Sequence, residues 1–383
     1  MTNIANVTEW RRHLHQYPEF GTEEFITSEF VANKLEEFGI EVHRGIGGTG
    51  VLGILKNGTS DRSIGLRADM DALRIHEQNT FCHASKHEGA MHACGHDGHT
   101  AMLLGAAQEL ATSKQFDGTV YFIFQPDEER GTGAKAMIAD GLFTRWNMDA
   151  IYAMHNLPGI PEGKFVTRPS SLMASESSFE IVIKATGGHA AMPHMGTDPI
   201  VVGAQVVTAL QTIVSRNLSA IDETAVISVT NFVTNGTVNV IPSQVTISGD
   251  TRSFTDQALH KIEKAIERVV AGQCMSAGVD YQYHFNNSFL STINTPEETA
   301  HAVKAAQAVV GKENVNGACE RFTISEDFSF MLREVKGCYV LVGNGVGECG
   351  GTALHNPHYD FNDNILEHGV GFWKTLVEQQ LSQ

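Results

Sequence analysis

His92-Ala93-Cys94-Gly95-His96-Asp97-Gly98-His99 places three histidines, a cysteine and an aspartate within eight residues, just ahead of a segment patterned as a helix. Thiolate and imidazole are good ligands for zinc and similar divalent metals, and Gly95 lets the backbone turn so that Cys94 and His96 can face one ion. The plain alternative is a polar helix entry, with His96 or Asp97 capping free N–H groups. A second cluster, Gln125-Pro126-Asp127-Glu128-Glu129, follows the β-rich run Val120–Phe124, and α/β sheets place ligands beyond the carboxyl ends of their strands. Adjacent carboxylates repel, so two at one site call for a cation or a proton. The economical assignment gives one to a metal and leaves the other as a base; the plain alternative is a favourable helix-dipole contact.

Two isolated histidines obey the same geometry. His155 ends the strand-like run Ala150–Met154, and His355 lies a short loop beyond Cys338–Val342. Either alone is a commonplace polar residue, yet independent segments all bring metal-type side chains to one edge of one expected sheet. Asp69 and Asp71 follow the run Ser63–Arg67 and could support a ligating histidine, with direct ligation by Asp69 the lesser alternative. Gly187-Gly188-His189-Ala190-Ala191-Met192-Pro193-His194 reads as a glycine-led loop whose histidine could donate to an oxyanion, or as a turn with two surface histidines.

The elements that must hold these residues alternate. A helix over 21–38, with Thr22 as its cap and Gly39 as its stop, precedes strands at 51–55, 63–67, 120–124 and 150–154 and helices at 98–112 and 133–139. This is the pattern of an α/β sheet covered by helices. From Ser178 the order becomes βαββαβ, with strands at 179–184, 225–231, 244–249 and 280–285 and helices at 199–216 and 255–276, the ferredoxin-like signature. A helix over 295–310 and a strand over 338–342 then resume the first pattern. The expected organisation is a catalytic domain formed by 1–177 and 289–383, with an inserted lid domain over 178–288.

With 383 residues the chain is long enough for two cores. A net charge of -17 argues against nucleic acid and anionic membranes as partners. No basic start with an apolar run opens the chain, and no stretch reads as about 18 apolar residues of a membrane span, so a cytoplasmic setting is expected. Six cysteines are too sparse for a disulfide framework; Cys82, Cys274, Cys319, Cys338 and Cys349 are expected as thiols.

Nearly the whole chain resembles the N-acyl-amino-acid amidohydrolase branch of the aminoacylase and carboxypeptidase G superfamily, which includes hippurate hydrolases and plant auxin-conjugate hydrolases. The resemblance rests on Leu14–Glu19, Arg67–Leu73, Met91–His99, Gln125–Glu129, Gly187–His194, Asn239–Pro242, Ser325–Phe328 and Leu354–Pro357, in that order. It implies an α/β metallopeptidase-like catalytic domain and hydrolysis of small N-acyl amino acids at two divalent ions (Zn, Mn, Co or Ni). Cys94, His96, Glu129, His155 and His355 would be the ligands, with Cys94 bridging. Glu128 would be the general base and His189 a donor to the substrate carbonyl, while Asn239, Arg252 and His194 would hold the substrate and Asp69 and Asp71 stand behind the ligands. Arg252 would pair with the substrate carboxylate, or else form a salt bridge on its own sheet. The long lid helices could present a homodimer surface. A di- or tripeptide hydrolase, or a silent metal-dependent binding protein, are the rival readings. Asp127, Arg130 and Arg74 stand where the family commonly has Ala, Gly and Pro, and an extra acid beside the paired glutamates raises the question of which carboxylate does which job.

Overall fold

The computed structural model describes residues 4–348 and 350–382, which form two compact units. The first runs to Leu172 and takes in Ile293–Glu320 and Glu326 onward. Its elements begin with α1 (Ile4–Gln16), α2 (Phe25–Glu37), β1 (Glu41–Ile46), β2 (Gly50–Asn57) and β3 (Ser63–Asp69). Then come α3 (His96–Ser113), β4 (Gly118–Gln125), α4 (Gly133–Ala139), β5 (Ala150–Pro158) and β6 (Phe165–Val166). After the second unit the chain adds α5 (Pro296–Val310), β7 (Val315–Asn316), β8 (Gly337–Gly345) and α6 (Leu366–Gln380).

The eight strands make one sheet in the order β1-β2-β4-β3-β5-β8-β6-β7. Its centre, β4-β3-β5-β8, is parallel, whereas β1 and β2 run antiparallel at one side. Every residue of β3 and β8 is buried, as a sheet covered on both faces requires. Helix α3 is enclosed from His96 through Ala107. Small residues make this possible: a Cβ at Gly105 would sit 2.7 Å from Val370 of α6 and 3.0 Å from Val7 of α1. Gly95 caps α3 at φ 94°, and the side chains of Asn156 and Tyr359 fill the space a Cβ would need.

The second unit comprises Met173–Thr292 and Arg321–Ser325. Its strands Ser175–Lys184, Ala225–Thr234, Gln244–Ser253 and Asp280–Phe289 and helices Pro199–Thr212 and Asp256–Ala277 follow the βαββαβ order. The antiparallel sheet places Ser175–Lys184 between Gln244–Ser253 and Asp280–Phe289, with Ala225–Thr234 at the other edge. One side of it is covered by the two helices, through a core that includes Ile181, Val206, Leu210, Ile247, Ile262 and Ile266.

Several expectations need correction. The expected limits at 178 and 288 fall inside the second unit, because the first strand of that unit already pairs from Ser175 and Ala174 N–H donates to Phe322 and Ile324, drawing residues 321–325 in. Thr22 does not cap α2; it sits at φ 69°, and the helix starts at Phe25 after an uncapped Glu24. Among the described residues one helix, Pro199–Asn217, is long and apolar enough by length and composition to cross a membrane, although Val202, Val206, Leu210 and Ile213 face the unit's own core. Among the described residues Cys82, Cys94, Cys274, Cys319 and Cys338 are free, and Cys349 lies outside them.

Gly98 packs flat against Phe361, whose ring would be overlapped by a Cβ. Gly98→Ala should therefore cost about 1–3 kcal/mol by overpacking, despite alanine's higher helix propensity. Urea unfolding measures this, and an unchanged midpoint would show that Phe361 moves freely.

Candidate metal centre

The carboxyl edge of the parallel strands gathers the chemistry. Asp69 ends β3 with Asp71 two residues on, Glu128 and Glu129 follow β4, His155 lies within β5, and the loop after β8 supplies His355, while Cys94 and His96 come from the entry to α3. Cys94 Sγ is 3.4 Å from His155 Nε2. Glu129 Oε1 is 3.9 Å from His96 Nε2 and 3.5 Å from His355 Nε2. Ligands bound to one tetrahedral ion at about 2.0–2.3 Å lie about 3.3–3.8 Å from each other. The structure thus brings together Cys94, His96 and His155 as one group, Cys94, Glu129 and His355 as a second, and His96, Glu128 and Glu129 as a third, with Cys94 shared by the first two.

The orientation of the rings favours a cation. His96 Nδ1 lies 2.9 Å from Asp71 O and 3.2 Å from Asp71 Oδ1. His155 Nδ1 donates to Asn156 O at 2.6 Å. Such backbone and carboxylate contacts fix the tautomer of a ligating histidine. His96 Nε2 and Glu129 Oε1 are buried with no hydrogen-bond partner among the described residues. Buried polar atoms left unsatisfied are costly, and a shared divalent ion would satisfy both. Asp71 Oδ2 also accepts Glu129 N–H at 3.0 Å, so this aspartate braces two of the grouped residues.

Electrostatics point the same way. Burial would lower His96, but Asp69 and then Asp71 outweigh it and carry its pKa to about 10. Burial pushes the Cys94 thiol well above its usual range, and Glu129, Glu128 and Asp69 add to this. His155 is held well below the usual histidine range by burial and by His99, which leaves it neutral. Glu128 is raised well above an ordinary carboxyl by burial, followed by Glu326, Glu129 and Asp327. The pocket therefore prefers positive charge and holds protons that a divalent ion would displace.

Behind the pocket stands Arg67. It is fully buried and donates to Gln125 Oε1 at 2.9 Å, Asp69 Oδ2 at 2.6 Å, Glu326 Oε1 at 2.9 Å and Asp327 Oδ1 at 3.1 Å. Asp69 Oδ1 in turn accepts from His99 Nδ1 at 2.6 Å. Tyr339 O–H donates to Glu326 Oε2 at 2.5 Å. The sequence by itself points to no role for Arg67, His99, Glu326 or Asp327. Each lay in a recognised motif, but nothing in sequence spacing reveals that β3, α3 and residues 326–327 converge. Asp97, offered as a helix cap, instead accepts from His15 Nδ1 of α1 at 2.8 Å.

His189, Asn239, His194 and Arg252 all belong to the second unit. His189 is exposed on a two-stranded ribbon, paired with Val240, and its Nδ1 accepts Ala191 N–H at 3.1 Å. Asn239 O receives Ala190 N–H at 3.1 Å, which ties the ribbon's two turns together, and His194 is exposed in the short helix that follows. Arg252 is ion-paired to Glu176 at 2.7 Å and Asp250 at 3.0 Å and donates to Ser325 at 2.8 Å. A substrate carboxylate would have to compete with those two acids.

Metal-ligating groups and a high-pKa carboxylate at the carboxyl edge of a covered parallel sheet define a metal-dependent hydrolase. The chain belongs to peptidase family M20/M25/M40, whose model matches residues 65–379. It is 38% identical over 371 residues to a hippurate hydrolase of Campylobacter jejuni, covering 97% of this chain and 95% of that protein. It is 36% identical over 380 residues to an N-acetylcysteine deacetylase of Bacillus subtilis, covering 98% and 96%. A solved Bacillus subtilis structure described as a dinuclear metal-binding peptidase of the M20 family superposes with a TM-score of 0.86 at 31% identity, covering 99% of this chain and 98% of that one.

Removing Arg67 leaves three carboxylates facing one another in the interior. Arg67→Ala should cost about 3–5 kcal/mol of stability, the usual penalty for orphaning buried charge. Urea unfolding of the metal-free protein reads this out. A loss below about 1 kcal/mol would mean the acids recover protons or partners elsewhere.

Proposed function

We propose that this protein hydrolyses the amide bond of small N-acyl amino acids, releasing a carboxylic acid and a free amino acid. The observation that carries this reading is Glu128: a buried carboxylate with raised proton affinity, set against the grouped ligands. Cys94, His96, Glu129, His155 and His355 would hold two divalent ions, Zn, Mn, Co or Ni, and Cys94 belongs to two of the grouped sets. When bound, such ions polarise the scissile carbonyl and lower the pKa of water from 15.7 towards about 7. Glu128 takes the proton of the attacking water and hands it to the leaving nitrogen, so the amine departs neutral. Asp71 and Asp69 keep His96 and His99 oriented while this happens. His189 is assigned as donor to the oxyanion, a contribution of about 3 kcal/mol for one well-placed group. Asn239, His194 and Arg252 are assigned to holding the substrate.

The relatives named for hippurate and for N-acetylcysteine differ in acyl group and amino acid and share an amide next to a carboxylate, which supports the substrate class. The free thiols fit a cytoplasmic setting. A homodimer through the second unit is favoured by its edge strand Ala225–Thr234, where Val226, Phe232 and Val233 are exposed, and by Ile200 and Val201 on the helix Pro199–Thr212. Phe232→Glu should then shift a dimer to monomer in sedimentation, whereas a wild-type protein that sediments as a monomer would exclude this interface.

The decisive experiment is a panel of N-acyl amino acids and free-amine dipeptides, assayed by released amino acid with and without chelator. Hydrolysis of the N-acyl compounds, lost on chelation and restored by Mn, Zn, Co or Ni, is expected. Glu128→Gln should abolish turnover while both metal equivalents still bind. Activity of the metal-free protein, or turnover by the Gln variant, would overturn the scheme; faster dipeptide cleavage would move the substrate class.

A further inference from the structure

The segment bearing Glu128 and Glu129 leaves β4 at Gln125 and must turn before α4 begins at Gly133. Two left-handed residues bracket the pair, Asp127 at φ 52° and Gly131 at φ 67°. A side-chain-bearing residue in that region costs about 1–2 kcal/mol and persists only where its surroundings over-determine it. Asp127 is over-determined. It is buried; its Oδ1 accepts Arg130 Nε at 2.6 Å, and its Oδ2 accepts the Thr132 hydroxyl. Its N–H donates to Glu24 Oε1 at 2.9 Å, and its carbonyl accepts Gly133 N–H at 3.0 Å.

Arg130 extends this arrangement into a second loop. Its Nη2 donates to Gly21 O at 2.8 Å and to Thr22 Oγ1 at 3.2 Å. Thr22 is itself left-handed, and a Cβ at Gly21 would overlap the Asp127 carboxylate. Glu24 closes the circuit: besides Asp127 N–H it accepts the Thr49 hydroxyl at 2.5 Å. The loop between α1 and α2 and the loop carrying the two glutamates are thus fastened together by Asp127, Arg130 and Glu24, three residues outside the metal-ligand groups.

We propose that Arg130 and Asp127 form a positioning clamp that fixes the backbone from which Glu128 and Glu129 project. Both carboxylate oxygens of Asp127 are engaged within the clamp, so this third acid neither binds metal nor accepts the proton of the water. Arg130 is largely exposed, and an exposed ion pair is worth little as a source of stability. Its effect lies in orientation, where a displacement of about 1 Å can cost up to about a hundredfold in rate. The proposal rests on the assignment of Glu128 as base and Glu129 as ligand.

The test compares Arg130→Ala, Arg130→Lys, Asp127→Ala and the Asp127→Ala/Arg130→Ala double variant on the best substrate of the panel. Metal titration of the metal-free proteins and thermal melts run alongside. Arg130→Ala should lower kcat about tenfold with KM within about twofold of wild type and both metal equivalents retained. Arg130→Lys, which keeps the cation but not the fork, should recover part of the loss. The double variant should be no slower than Asp127→Ala alone, because the two side chains act as one unit. Wild-type kcat in Arg130→Ala overturns the clamp, as do losses that multiply in the double variant. Loss of one metal equivalent in Asp127→Ala with both retained in Arg130→Ala makes Asp127 a ligand and overturns it as well. If Asp127→Ala does not fold, the two variants of the exposed Arg130 still decide the matter. Persisting turnover in Glu128→Gln would instead refute the assignment of the base, whatever the clamp variants do.

Discussion

The buried guanidinium of Arg67 is the interaction on which the site is built. It enters from β3 and holds Asp69 on one side and Glu326 and Asp327 on the other, while Gln125 at the end of β4 accepts from its Nε. Asp69 passes this order to His99, and Glu326 and Asp327 border Glu128. One planar cation thus connects the histidine side of the pocket with its carboxylate side. Arginine suits this because its fork offers several fixed donors and stays charged when buried. The cost of burying it is offset only because every partner is itself an acid or an amide.

That one cation does not balance the acids around it. Asp69, Asp71, Glu128, Glu129, Glu326 and Asp327 crowd the same edge of the sheet, and the thiol of Cys94 lies among them. The protein's own answer is to retain protons, on His96, on Cys94 and on Glu128. Divalent ions would be a better answer, since they would satisfy Nε2 of His96 and Oε1 of Glu129, which have no partner among the described residues, and displace protons from the groups that held them. The same crowding of acids, after burial, raises the proton affinity of Glu128.

Positioning depends on backbone as much as on side chains. Gly95 turns the chain left-handed so that Cys94 and His96 leave the entry of α3 together, and Asp127 and Gly131 turn it again around Glu128 and Glu129. His355 is likewise left-handed, at φ 62°. Strained or glycine-dependent turns recur where the grouped histidine, cysteine and carboxylate side chains converge, and the fully enclosed strands β3 and β8 supply the frame that holds them.

The chemistry was legible in the sequence because its signals are local. Cys94-Gly95-His96 and Glu128-Glu129 are close in the chain, and the apolar runs of the central strands announce a covered parallel sheet. The periodicity of the second unit likewise discloses its βαββαβ order. The helices α1, Leu142–Arg145, Phe328–Glu334 and α6 are not announced by local pattern. In α1 the enclosed positions include Arg11 and His15, so its buried face does not read as apolar, and α6 lies beyond the last recognised motif. Thr22 looked like a cap, and only the fold shows that its loop is fastened to Arg130. Above all, the partners of Arg67 lie up to 260 residues away. Sequence alone determined which residues could bind metal and move a proton. Tertiary structure decided their orientation and charge, because burial and the convergence of distant strands set both, and neither is written in local spacing.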